Sequence, residues 1–139
     1  INFLVENSIF GKKILKELKV LDDQNISKLK LLEKKIKDKE KKINQTRNIV
    51  SEEKYNEQVV LIKNDIKKFR QDKEKMVKNF KLKKQEGFRE FLKKIDPLLQ
   101  DYMKQNSIAV LLDKKNVFIG KSEYDITLDL LKVIDNNLE

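Results

Sequence analysis

The sequence predicts an α+β chain: a long antiparallel coiled-coil helical hairpin, or tentacle, projecting from a small β body that oligomerises into a barrel. Three observations predict it. Tyr55, Val59, Ile62, Ile66, Phe69, Lys73, Met76 and Phe80 follow a strict 4-3-4-3 spacing, and all but Lys73 are apolar. Upstream, Leu29, Leu32, Ile36, Lys39, Ile43, Thr46 and Val50 follow a 3-4-3-4 spacing. An apolar residue about every 3.5 positions places a seam on one face of a helix. Finally, short β-forming runs lie at both ends of the chain, outside the helical stretches. The arm seam is carried by Leu32, Ile36, Ile43, Val59, Ile62, Ile66, Phe69, Met76 and Phe80.

The elements follow in order. Ile1–Val5 reads as the end of a β-strand. Ser8 can cap a helix by accepting a first-turn N–H, and the helical pattern then runs to about Ile49. It weakens from Asp22 to Asn25, where polar residues occupy the seam and a local bend or loose packing is expected. The tip falls near residues 48–52. Ser51 caps the second helix, and Glu52 and Glu53 sit in its first turn against the positive helix end. Two helices of about 42 residues, at ~1.5 Å per residue, give an arm of about 60 Å. Gly87 marks a flexible point. Pro97 removes one helix hydrogen bond and predicts a kink, with continuation to about Gln105. Ile108–Leu112 and Val117–Ile119 read as a β-hairpin around the turn Asp113–Asn116. Asp125 caps a last helix from Ile126 to about Leu138, with Ile126, Leu130, Val133 or Ile134, and Leu138 on its core face.

This divides the chain into an arm, residues 8–105, and a body, residues 1–7 and 107–139. The body has too few residues for an independent core, and its short strands leave unpaired edges. Oligomerisation through the sheet solves both problems, with Phe3, Val5, Val110, Leu112, Val117 and Ile119 on the strands. A preceding segment that completes the sheet within one chain is the alternative. The first residue is Ile rather than Met, which fits a fragment or a processed product.

Charged residues make up 40% of the chain, with 3 Gly and 1 Pro in 139 residues. That is long-helix composition. Residues 26–95 hold 23 Lys or Arg against 11 Asp or Glu, a net +12, while the remainder holds 9 against 12. A basic arm attracts anionic partners: nucleic acid, lipid phosphates or acidic polypeptides. With no Cys and no His, thiol chemistry, most zinc sites and the usual general base are excluded. No phosphate-cradling Gly loop occurs, and no cofactor is expected. No apolar run reaches the ~20 residues of a membrane span. An enzyme is not expected.

Three features can serve binding. The basic cluster Lys78, Lys81, Lys83, Lys84 and Arg89 is either a phosphate contact or a solvated face. Phe80 lies on the seam, and Phe88 and Phe91 with Leu92 and Ile95 form a wider apolar face that packs the arm base. The arm itself either contacts a non-native polypeptide weakly at many points or only spaces two partners.

The C-terminal third, Ser107-Ile-Ala-Val-Leu-Leu-Asp113, Asn116-Val-Phe-Ile119 and Tyr124-Asp-Ile-Thr-Leu-Asp-Leu-Leu131, resembles the end of the Skp (OmpH) family of periplasmic chaperones. That family has a short LVLD strand, a second strand and a DIT helix start. Asn7-Ser-Ile-Phe-Gly-Lys-Lys13 and the tip Asn48-Ile-Val-Ser-Glu-Glu-Lys-Tyr55 are similar to the family's N-terminal region and tip. The chain departs in its high lysine content and short first strand. The resemblance implies a periplasmic homotrimer with a β-barrel body and three tentacles, an ATP-independent holdase that binds unfolded outer-membrane proteins and prevents their aggregation. It also implies contact with lipopolysaccharide or anionic lipid, placed at Lys81, Lys83 and Lys84. The other classes are a basic coiled coil that binds nucleic acid, for which no recognised motif is present, and a structural spacer.

Overall fold

The computed structural model describes residues 1–138. The order is α1 (Asn2–Asn7), α2 (Ile9–Thr46), α3 (Glu52–Gln105), two short 3₁₀ turns at Lys114–Asn116 and Ser122–Tyr124, and α4 (Thr127–Asn137). The chain forms two compact units. One spans Val20–Leu82; the other combines Ile1–Lys19 with the chain from Lys83 onward.

In the Val20–Leu82 unit, α2 and α3 meet along the expected seam. Leu32, Ile36, Ile43, Val59, Ile66, Phe69, Met76 and Phe80 are half-buried, Ile62 is buried, and the residues between them are mostly exposed. A single pair of helices covers each seam side chain from one side only, so half-burial is the geometric limit for most of them. Lys39 and Lys73 occupy seam positions in the pattern but point to water. Lys39 uses that freedom to pair with Asp65 on the opposite helix. α2 continues without a break through Asp22–Asn25. There the seam is carried by half-buried Leu21, Asn25 and Leu29, a 4-4 spacing. The polar gap is thus absorbed by a local change of period.

The helices end as their sequences dictate. Thr46 closes α2 with its hydroxyl bonded to the carbonyls of Lys42 and Ile43. Ser51 Oγ accepts the Lys54 N–H at 3.4 Å to start α3. α3 runs through Pro97 to Gln105. Pro97 and Lys93, one turn before it, are exposed, so water can satisfy the carbonyl that proline leaves without a partner. The end is set by Ser107, whose φ is 53°. The Ile108 N–H donates to Met103 O at 2.9 Å and the Ser107 N–H to Lys104 O at 3.4 Å, the paired bonds of a left-handed C-cap.

The other unit has a true core of Leu4, Val5, Phe91, Ile95, Leu130 and Ile134, ringed by Phe10, Ile14, Leu92, Leu99, Tyr102 and others. Phe91 stacks on Phe10 with ring centroids 6.2 Å apart. Ser8 breaks the chain between α1 and α2, and its Oγ accepts the Gly11 N–H at 3.1 Å. Asp135 on α4 accepts the Ile9 N–H at 2.7 Å. Two orphan donors of the α2 N-terminus are thereby satisfied, one by a carboxylate that the helix dipole favours. A Cβ on Gly11 would lie 2.0 Å from the Val5 carbonyl oxygen, so only glycine lets the chain fold back this tightly. Gly87 is likewise a packing position: Ile14 Cγ2 occupies the space a Cβ would need. The glycine expected to mark a flexible point is half-buried inside the unbroken helix α3.

The β body is the main correction. No strand occurs among the described residues. Residues 1–5 were expected as the end of a strand, but from Asn2 on they belong to α1, Phe3 and Val5 included. Leu4 and Val5 are both buried, which the alternating faces of a half-buried strand do not allow. The run Ile108–Ile119 is interrupted by a 3₁₀ turn in which Asp113 Oδ1 accepts the Lys115 N–H at 3.2 Å. Its two flanks, with Val110 and Leu112 on one side and Val117 and Ile119 on the other, form no ladder with each other. Two short flanks without a third strand or a covering layer are marginal as a sheet. Asp125, expected to cap the last helix, lies one residue before the N-cap Ile126, which has no side-chain cap bond. It accepts both the N–H and the hydroxyl of Thr127, at 3.2 and 2.6 Å.

Candidate functional surfaces

Three surfaces remain once the cores are accounted for. The first is the run after α3. Val110, Leu112, Val117 and Ile119 are exposed, and Phe118 is 99% exposed. Tyr124 and Leu128 add to this apolar surface in the same unit. So many large apolar side chains in water, on backbone that lacks a ladder partner, mark an interaction surface. The run is anchored at its start by the α3 cap and at its central turn by Lys114 Nζ, which donates to Asp125 Oδ2 at 2.6 Å. The Lys114 ammonium, followed by the Thr127 hydroxyl and amide, holds the Asp125 carboxyl at about 2. Of the predicted strand residues, Phe3 is half-exposed, but Val5 is sealed in the core and has no face left to offer.

The second is the basic trio. Lys81, Lys83 and Lys84 are all exposed on α3. Lys81 and Lys84 are three apart and share a helix side, whereas Lys83 is two from Lys81 and points away. Lys83 also bonds Glu86 at 2.9 Å. That hydrogen bond, with the attraction of the same carboxylate, raises its pKa. The trio is therefore a pair plus a neutralised neighbour.

The third is the arm surface. Phe80 is a half-buried seam residue, Phe88 is partly exposed, and Phe91 belongs to the core. Outside the seam, Leu31, Val60, Leu61 and Val77 are exposed among the lysines. At the tip, the Arg47 guanidinium lies 5.7 Å from the Tyr55 ring centroid, which places a cation over an aromatic face across the turn. Among the described residues no helix is long and apolar enough to cross a membrane, and no group of three His, Cys, Asp or Glu is placed to hold a metal ion.

A family described as outer membrane protein (OmpH-like) matches residues 1–134, nearly the whole chain. The chain belongs to the OmpH-like family. Among solved structures, it is similar to a candidate OmpH-like outer membrane chaperone from Caulobacter crescentus CB15, with a TM-score of 0.89. The match covers 96% of this chain and 79% of that one, at 16% identity. That degree of identity shows a shared fold, so the long helical hairpin is the OmpH-like fold. No curated protein matches the chain.

Sequence reasoning missed Gly11 and Asp135. Gly11 had a signal: a glycine three residues after a capping serine, inside a helical pattern. Asp135 had none, because its partner Ile9 lies 126 positions away.

Proposed function

We propose that the protein is an ATP-independent holdase of the periplasm that binds unfolded outer-membrane proteins between coiled-coil arms and prevents their aggregation. The observation that carries the reading is the unpaired apolar run Val110–Ile119 in a chain of the OmpH-like family. Copies that contribute this run to a common barrel gain the ladder partners that a single copy lacks. The family resemblance supports three copies, hence a homotrimer with three arms. Each arm offers scattered exposed apolar side chains on a basic surface, suited to weak, multiple contacts with an unfolded chain. The net +12 of residues 26–95 draws acidic clients, so capture weakens with salt. The similar Caulobacter crescentus protein, a candidate outer membrane chaperone, supports this role. Lys81 and Lys84 are the positions for contact with lipopolysaccharide or anionic lipid.

The test is the mass of the purified protein by light scattering, alone and with an unfolded outer-membrane protein. A trimer that keeps the client soluble in a one-to-one complex supports the reading. A monomer that leaves the client to aggregate overturns it.

A further inference from the structure

The arm is basic, yet one face at its tip is not. Glu52, Glu53, Asn56, Glu57, Val60 and Leu61 line a single open hollow on the first turns of α3. Their spacing of one, three and four places them on one helix side. The seam residues Tyr55, Val59 and Ile62 turn the other way and are at least half-buried. Lys54, the one base within this stretch, flanks the face, three residues before Glu57. None of the three glutamates takes part in an ion pair among the described residues. Meanwhile Val60 and Leu61 stay 56% and 64% exposed.

The first two carboxylates have a local use, since they sit where the helix dipole stabilises negative charge. Glu57 lies beyond the first turn, and Val60 and Leu61 have no role in starting a helix. Two adjacent exposed aliphatic side chains beside three unneutralised carboxylates form an amphipathic, anionic face on a lysine-rich arm. Its complement is a segment that carries positive charges beside apolar side chains. An acidic segment, drawn to the basic remainder of the arm, is repelled here.

We propose that this tip face docks cationic, amphipathic polypeptide segments. The inference deepens the holdase reading and rests on it for the source of the segment, a stretch of unfolded client. The arm then reads clients by two charges: acidic stretches along its basic length, and basic stretches at its tip.

The experiment uses the full chain and three labelled synthetic peptides of equal length: alternating Lys and Leu, alternating Glu and Leu, and alternating Lys and Ser. Binding is followed by fluorescence anisotropy at low salt. The Lys–Leu peptide is expected to bind more tightly than the Lys–Ser peptide and to depend on the tip, whereas the Glu–Leu peptide binds the basic length of the arm whether or not the tip is altered. E57K and the double variant V60S/L61S, which leave Glu52 and Glu53 at the helix start, should each weaken it by about tenfold. K12Q/K16Q, at two exposed lysines near the start of α2, should leave it unchanged. Helicity measured on each variant confirms that the arm is intact. Equal Lys–Leu binding by wild type and both tip variants overturns the proposal, as does tip-dependent preference for the Glu–Leu peptide. Retention of an unfolded outer-membrane protein is measured on the same samples. Retention by wild type without tip-dependent peptide binding sinks the tip proposal and leaves the holdase reading standing. Tip-dependent peptide binding without retention does the reverse.

Discussion

Between Val20 and Leu82 two helices meet along one stripe, and among the described residues there only Ile62 is buried. In the other unit, Phe91, Ile95 and Ile134 are sealed from solvent by four helical segments and a loop. The same two helices serve both units, with similar lysine-rich surfaces. What differs is the number of elements around the apolar stripe. A side chain between two helices keeps an open flank, whereas one surrounded by α1, α2, α3 and α4 does not. Large apolar residues are therefore worth more in the multi-helix unit, and that ranking can be tested.

The largest effect is expected from removing the sealed ring. Phe91→Ala should cost about 3–5 kcal/mol, the range for a buried aromatic that leaves a cavity. Ile36→Ala, on the half-open seam, should cost about 1–2 kcal/mol, because part of the side chain never left water. Urea unfolding followed by circular dichroism measures both. Equal losses would erase the distinction between the units.

Gly11→Ala tests a different feature of the multi-helix unit, its tight turn from α1 into α2. The added methyl meets the backbone carbonyl of Val5, which cannot move aside as a side-chain end could. A loss of about 2–3 kcal/mol is expected, at the upper end for overpacking. Gly87→Ala is the internal control. Its methyl meets a single side-chain atom, Ile14 Cγ2 at 2.7 Å, rather than backbone, so a smaller change in melting temperature is expected.

At Ser107 the sign reverses. A non-glycine residue holds a left-handed φ there, so Ser107→Gly should stabilise the chain by about 0.5–1 kcal/mol. Thermal melting followed by circular dichroism checks it.

The smallest effect concerns pH. Asp125 is held at about 2, against an ordinary value of 3.8, first by Lys114 and then by Thr127. A carboxyl whose folded pKa is depressed contributes stability above its unfolded pKa. That contribution is complete above about pH 5 and is lost as pH falls through 3.8 toward 2. Asp125→Asn should flatten stability over that window, most visibly at low salt because the pair is largely exposed. Acid titration of the denaturation midpoint, wild type against variant, is the measurement.

How much was legible follows the same division. The seam could be read residue by residue, because a period near 3.5 sustained from Leu29 to Val50 and from Tyr55 to Phe80 has no competing interpretation. The tip was legible from Ser51 and its two glutamates, and the last helix from Leu130 and Ile134. The five residues Ile1–Val5 were too few for periodicity to separate strand from helix, and their burial depends on Leu130 and Ile134, more than a hundred positions away. The run Val110–Ile119 has β-forming side chains, but a strand exists only when a neighbour supplies its hydrogen bonds. The continuation of α3 past Pro97 to Gln105 was legible, but the left-handed Ser107 that fixes its end was not. For the candidate sites, the lysines were visible as a cluster, but the Lys83–Glu86 bond and the helix angle separated them. The anionic tip face was hidden by the arm's net charge, which averages over all sides of a helix.

The uniform seam spacing has an evolutionary consequence. Seven residues added to α2 and seven added at the matching depth of α3 restore both registers and lengthen the hairpin by about 10 Å. No contact among Leu4, Phe91, Leu130 and Ile134 is altered. Reach is thus a quantised trait in this architecture, open to selection one heptad pair at a time, while the residues that close the helical core stay under separate constraint.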